Sequence, residues 1–66
     1  MTEAETFRAR ADEAATLAAD TDLANVRDRH LRSQAAWEAM AVRSERVATQ
    51  RARNEAAKAG APATAD

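Results

Sequence analysis

The chain has 66 residues, twenty of them alanine, and its ten basic and eleven acidic side chains nearly cancel to a formal charge of −1. This balance excludes a global field that would attract nucleic acid or an anionic membrane, and the lack of cysteine excludes disulfides and thiol catalysis. With only three valines and no isoleucine to form strands, the composition predicts one small all-α domain.

The sequence predicts a cytoplasmic protein. Residues 1–5 lack the basic and apolar regions of a signal peptide. No apolar run approaches the roughly 20 residues that a membrane span needs. Arginine outnumbers lysine nine to one, which together with the alanine content is typical of a GC-rich bacterial genome.

The first predicted helix covers residues 3–19. Thr2 and Glu5 have the spacing of a capping box, in which each side chain accepts a hydrogen bond from a backbone N–H that would otherwise have no partner. Small and apolar residues recur every three or four positions and form one narrow stripe, which consists of Ala4, Phe7, Ala11, Ala14 and Ala18.

A short turn at residues 20–22 follows this helix. Aspartate and threonine bond locally to the backbone and therefore favour turns and helix N-caps. Asp22 is the expected N-cap of the second helix, with Asn25 as the alternative. Because the connection is so short, the two helices should fold back as an antiparallel hairpin.

The second predicted helix covers residues 23–58, so that the hairpin takes up residues 1–59. Gly60 is expected at the C′ position, and Pro62 prevents continuation of the helix. Residues 60–66 are expected to form a disordered tail. At 1.5 Å per residue the second helix would be about 54 Å long and the first about 27 Å, which leaves half of the second helix without a partner in the chain.

Apolar residues lie on two sides of the second helix. At about 100° per residue, one side gathers Val26, His30, Ser33, Trp37, Met40, Ala41, Ser44, Val47 and Ala48. A thinner line nearly opposite consists of Ala24, Leu31, Ala35 and Val42. The first helix should be unable to cover both sides or to reach residues 41–48. The sequence therefore predicts dimerisation into a four-helix bundle, the alternative being a frayed distal end.

The candidate interface with a second copy or another partner consists of Leu31, Trp37, Met40, Val42 and Val47. Trp37 is either an anchor for a partner or, as we favour, the centre of the hairpin's own core. Charge supports pairing of the helices, since residues 1–22 hold six acids and two bases whereas residues 23–58 hold four acids and eight bases.

Few residues of the sequence support catalysis or metal binding. His30 is the single histidine, and without cysteine it could bind metal only by pairing across a dimer, so a partly buried histidine is the favoured interpretation. Ser33 lies near His30 but has no orienting third group. We therefore expect no catalytic, cofactor-binding or metal-binding residue.

The leading functional hypothesis is a non-enzymatic, self-associating interaction or regulatory module. The alternative is a nucleic-acid-binding accessory protein that uses the basic distal part of the second helix. Its candidate phosphate contacts are Arg43, Arg46, Arg51 and Arg53, with Lys58 beyond them. These bases fall on several faces and no aromatic residue is interleaved, so a solvated surface is the favoured interpretation.

Three segments of the hairpin resemble short helical-hairpin proteins from alphaproteobacteria. Those proteins share an aromatic-Arg-x-Arg-Ala opening, a turn region with Thr, Val-Arg and Leu, and a segment with Ala before Trp or Phe. The matching positions here are Phe7, Arg8, Arg10, Ala11, Thr21, Val26, Arg27, either His30 or Leu31, and Trp37. The resemblance covers about residues 6–41, implies a helical hairpin and a cytoplasmic location, and contributes no activity. Many of those sequences have proline in the turn, where this chain has Leu23 and Ala24.

Overall fold

In a computed structural model of the chain, residues 1–60 are described. They form two α-helices, α1 (Glu3–Asp20) and α2 (Ala24–Gly60), which pack against each other as a hairpin. The expected all-α hairpin is therefore confirmed. Both helices depart from the predicted ranges of 3–19 and 23–58 by one or two residues at their ends. The expected tail lies outside the described residues, apart from Gly60.

The start of α1 is the predicted capping box. The Thr2 N–H donates to Glu5 Oε1 over 3.0 Å, and the Glu5 N–H donates to Thr2 Oγ1 over 3.1 Å. Thr2 has an extended backbone, as an N-cap requires. The two reciprocal bonds satisfy N–H groups that have no partner within the helix, which fixes the position at which α1 begins.

The connection between the helices is closed by Arg27, on the first turn of α2. Its guanidinium donates from Nη2 to the Thr21 carbonyl over 2.8 Å and from Nε to the Ala18 carbonyl over 3.4 Å. The last turn of α1 has no basic residue of its own. Arg27 thus supplies a positive charge to carbonyl groups that the end of α1 leaves without helical partners.

The expected N-cap of the second helix is wrong. α2 begins at Ala24, and the Arg27 N–H donates to the Leu23 carbonyl, so Leu23 occupies the cap position instead of Asp22 or Asn25. The Leu23 N–H donates to Thr21 Oγ1 over 3.2 Å. Hydrogen bonds of Thr21 and Arg27 therefore stabilise the turn, and α2 begins without a carboxylate side chain at its N-cap.

The core between the helices is made mainly of small side chains. All five residues of the predicted α1 stripe are buried or half-buried, and the buried ones are Ala11, Ala14 and Ala18. On α2, Ala41 is 0% exposed. Phe7 and Trp37 stack with ring centroids 5.8 Å apart and an interplanar angle of 28°. No large side chain among residues 1–60 is fully buried, so this aromatic pair provides most of the bulk of the core.

The first helix reaches farther along α2 than the sequence analysis expected. Ser44 Oγ donates to Glu3 Oε1 over 3.1 Å, and the Arg8 guanidinium contacts Glu45 at 2.7 Å. Residues 41–45 are therefore within reach of α1, through contacts made by side chains in its N-terminal half. Every residue from 46 to 60 is exposed and makes up the part of α2 that projects beyond α1.

The end of α2 also differs from the expectation. Gly60 was expected at C′, in the left-handed conformation that commonly ends a helix. It is instead the last residue of α2, and no glycine among residues 1–60 has a positive φ. The helix is thus continuous over its 37 residues and gives the hairpin an elongated shape of 65 × 19 × 10 Å.

Candidate interaction surfaces

Four of the five predicted interface residues are exposed after the hairpin has folded. Leu31, Met40, Val42 and Val47 are between 43% and 46% exposed. Trp37, the fifth, is partly buried against Phe7 and belongs to the core of the hairpin. Of the broad side predicted for α2, Ala41 is buried and Ser44 half-buried, whereas Met40, Val47 and Ala48 are exposed. The exposed apolar side chains are thus available to something outside this hairpin.

These side chains divide between two faces of the hairpin. On its own helix, each of Arg8 and Glu45 is rotated by about 80–100° from the line along which the two helices meet. The rotation has the same sense on both helices, and the two side chains contact each other. In an antiparallel pair, residues displaced in the same sense therefore share a face. The ion-pair face carries Arg8, Leu31, Val42 and Glu45, and the arginine face carries Leu17, Arg29, Met40 and Val47.

A recess of about 880 Å³ lies at the step where α1 begins and α2 continues. Phe7, Met40 and Val47 contribute apolar surface to it, and Arg43 and Arg51 are among its polar residues. An open step with an apolar floor suits contact with another polypeptide better than enclosure of a small molecule, which usually needs a deeper cavity.

The four arginines proposed as phosphate contacts do not form one cluster. Arg43 and Arg51 line the recess. Arg46 and Arg53 lie about 60–80° from Arg43 around α2 and about 140–160° from Arg51, at about 100° per residue. All four are exposed. A phosphate backbone lying along one side of α2 could therefore meet Arg43, Arg46 and Arg53 but not Arg51.

His30 lies among the half-buried residues of α2 that face α1. Within residues 1–60 there is no group of three or more His, Cys, Asp or Glu side chains that could hold a metal ion. In the same part of the chain, neither helix is long and apolar enough to cross a membrane.

Comparison of the chain with protein-family models, curated proteins and solved structures found no match. The resemblance to short alphaproteobacterial hairpin proteins stays a prediction. The function of the surfaces must therefore be inferred from their own geometry and charge.

The polar contacts between the two helices could not be recognised from the sequence pattern. These are the two-pronged contact of Arg8 with Glu45, over 2.7 and 3.2 Å, and the Ser44–Glu3 hydrogen bond. Both Arg8 and Glu45 are about half exposed, so their contact contributes little to stability. The hydrogen bond and charge of Arg8 nevertheless lower the pKa of Glu45 from its ordinary 4.5.

Acid should destabilise the hairpin through two carboxylates. Hydrogen bonds from the Thr2 backbone and side chain lower the pKa of Glu5, as Arg8 lowers that of Glu45. A carboxylate with a lowered folded-state pKa stabilises the fold above its ordinary pKa of 4.5, and this stabilisation is lost as the pH falls through the lower value. We expect the melting temperature to fall between about pH 5 and pH 3.

The variant Glu5→Gln, Glu45→Gln should show a shallower decline of melting temperature with acid, measured by circular dichroism at several pH values. Glu55→Gln is the matched control, because Glu55 makes no ion pair or side-chain hydrogen bond within residues 1–60. An equal decline in wild type and double variant would show that these two contacts do not carry the acid sensitivity.

Proposed function

We propose that the chain is a non-enzymatic helical module that acts by self-association as a homodimer, with its hairpins assembled into a four-helix bundle. The observation that carries this proposal is the exposure, between 43% and 51%, of five large apolar side chains within the two helices: Leu17, Leu31, Met40, Val42 and Val47. A cytoplasmic location, as expected from the sequence, belongs to the same proposal.

The energetics of a small chain support association. Full burial of a Leu, Val or Met side chain contributes about 1.5–3 kcal/mol, whereas the buried core of this hairpin consists of four alanines. Chains of this size usually need disulfides, a metal or a partner to add to a thin core. A second copy would cover exposed apolar side chains of both molecules at once.

Sedimentation equilibrium on the full-length chain tests the proposal. We expect a dimer of twice the 7.1 kDa chain mass at about 10–100 μM, a range that detects micromolar dissociation constants. The melting temperature should rise with protein concentration, because only the folded state associates. A 7.1 kDa species with a cooperative, concentration-independent melt would contradict self-association.

A second candidate function is contact with nucleic acid. Arg43 and Arg51 favour it, because both line the recess beside the projecting part of α2. Binding to any DNA or RNA should then weaken steeply between about 50 and 200 mM salt, since phosphate contacts release counterions. The absence of a mobility shift at the lower salt concentration would remove this candidate.

A further inference from the structure

Five of the eight bases of α2 lie on the arginine face. A sector of about 100° around the helix contains five bases, namely Arg29, Arg32, Arg43, Arg51 and Lys58, together with Met40 and Val47. The four acids of α2 lie outside this sector. One flank of α2 is therefore both basic and apolar along most of its length.

The same face of α1 has the opposite charge. Leu17, which is 51% exposed, lies about 100° past the line along which the helices meet, and Glu13 and Asp20 lie farther round the outer side of α1, about 140–160° past it. Arg10 is the one base of α1 on this face, and it is already 3.5 Å from Glu13. A single face of the hairpin thus combines an acidic, apolar flank on α1 with a basic, apolar flank on α2.

We propose that this arginine face is the surface on which a second copy of the chain docks, with α1 of each copy lying antiparallel along the basic flank of α2 of the other. The proposal rests on the self-association proposed above and specifies the face and the orientation. A two-fold axis parallel to the helices generates this arrangement, in which every neighbouring pair of helices is antiparallel.

The register of the hairpin predicts which charges meet. Glu3 is level with Ser44 at one end, and Ala18 is level with the region of Arg27 at the other. Because an axis parallel to the helices keeps each residue at its own height, α1 of the second copy has the same levels. Glu13 of the second copy then lies near Arg32, and its Asp20 lies near Arg29.

Apolar contacts accompany these ion pairs. Leu17 of each copy lies over the stretch of α2 between Arg29 and Ala36, where the aliphatic stems of the arginines can cover it. Met40 of each copy approaches the N-terminal part of the opposing α1, and Val47 lies just beyond the start of that helix. The interface is isologous, so each favourable contact occurs twice.

The ion-pair face fits a second copy less well. Arg8 and Glu45 already neutralise each other there, and Glu38 lies between Leu31 and Val42 on the same flank of α2. Of the predicted interface residues, the proposal therefore assigns Met40 and Val47 to the dimer and leaves Leu31 and Val42 outside it.

Charge reversal on the full-length chain tests the docking mode. The first variant is Arg29→Glu, Arg32→Glu, and the second is Glu13→Arg, Asp20→Arg. In each homodimer, like charges would face each other, so we expect dissociation constants at least about tenfold weaker than wild type, because like-charge juxtaposition is costly. An equimolar mixture should restore the dimer, because both contacts of the heterodimer then join opposite charges.

The matched control is Arg46→Glu, Arg53→Glu, which reverses the same number of arginines outside the arginine face, on the part of α2 that projects beyond α1, and should change the dissociation constant less than about threefold. Circular dichroism of each variant verifies that helix content is retained.

Sedimentation gives three separate outcomes. Recovery of the dimer only on mixing supports the proposal. If the wild type is a dimer and the two charge-reversal variants leave its dissociation constant unchanged, or the control variant weakens it as much as they do, the docking mode is overturned but self-association is kept. A monomeric wild type overturns both the docking mode and self-association. If the wild type binds nucleic acid and Arg29→Glu, Arg32→Glu does not, the basic flank contacts phosphates instead.

Discussion

Replacement of Trp37 by alanine is expected to remove most of the cooperative unfolding transition of the chain. Truncation of a buried tryptophan typically costs about 3–5 kcal/mol, and Trp37 retains some exposure, so the lower end of this range applies. The total stability of a core of this size is itself only about 3–5 kcal/mol. Since Trp37 stacks on Phe7 and the buried residues around them are alanines, no neighbour can fill the space that is left.

Thermal melts followed by circular dichroism provide the measurement. Trp37→Phe should keep part of the stacking on Phe7 and lose less stability than Trp37→Ala. Leu31→Ala is the matched control, because Leu31 is 46% exposed and lies outside the proposed dimer interface. If Trp37→Ala melted like the wild type, the tryptophan would not be the centre of the core, and its role would have to lie in contact with another molecule.

The α1 half of the fold could be predicted from the sequence because it depends on local rules. The capping box requires only Thr2 and Glu5 at the correct spacing. The packing stripe follows from a period of about 3.6 residues, and Ala11, Ala14 and Ala18 are buried as that period requires. Neither inference needs any knowledge of how the second helix is placed.

The turn and the register could not be predicted in the same way. Arg27 bonds to carbonyl groups of α1 across the turn, and Arg8 bonds to Glu45 across the hairpin. Such contacts join long, flexible side chains of different helices, so they depend on the rotation and offset of one helix against the other. The same is true of Met40, which shares a broad apolar side with Ala41 on a helical wheel but remains outside the contact.

The candidate interface was predictable as a set of residues but not as a surface. Sequence periodicity identified Leu31, Met40, Val42 and Val47 as more apolar side chains than one short helix can cover, and all four are exposed. It could not show that Met40 and Val47 share a face with the acidic flank of α1, because that statement requires the antiparallel geometry. The assignment of each residue to a face matters, because the arginine face and the ion-pair face differ in their charges.

Substitution of a larger side chain at Ala41, which is buried on α2, should destabilise the hairpin. Ala41 is 0% exposed, and Cα atoms of the two helices come within 8 Å of each other. Overpacking a well-packed contact costs about 1–3 kcal/mol, a large share of the stability of a small chain. We therefore expect Ala41→Leu to lower the melting temperature by more than about 5 °C, given that 1 kcal/mol shifts a domain of this size by about 4–8 °C.

Ala39→Leu separates this steric effect from helix propensity. Ala39 is exposed on α2, two residues away, and leucine is nearly as good a helix former as alanine, so this variant should melt close to the wild type. A rise in melting temperature for Ala41→Leu would mean that the helices have room for a larger residue and that the alanines leave the core underfilled. A fall confined to Ala41 would show that the small residues are required for close approach. The large residues of this chain would then be exposed because the helices meet too closely to accommodate them.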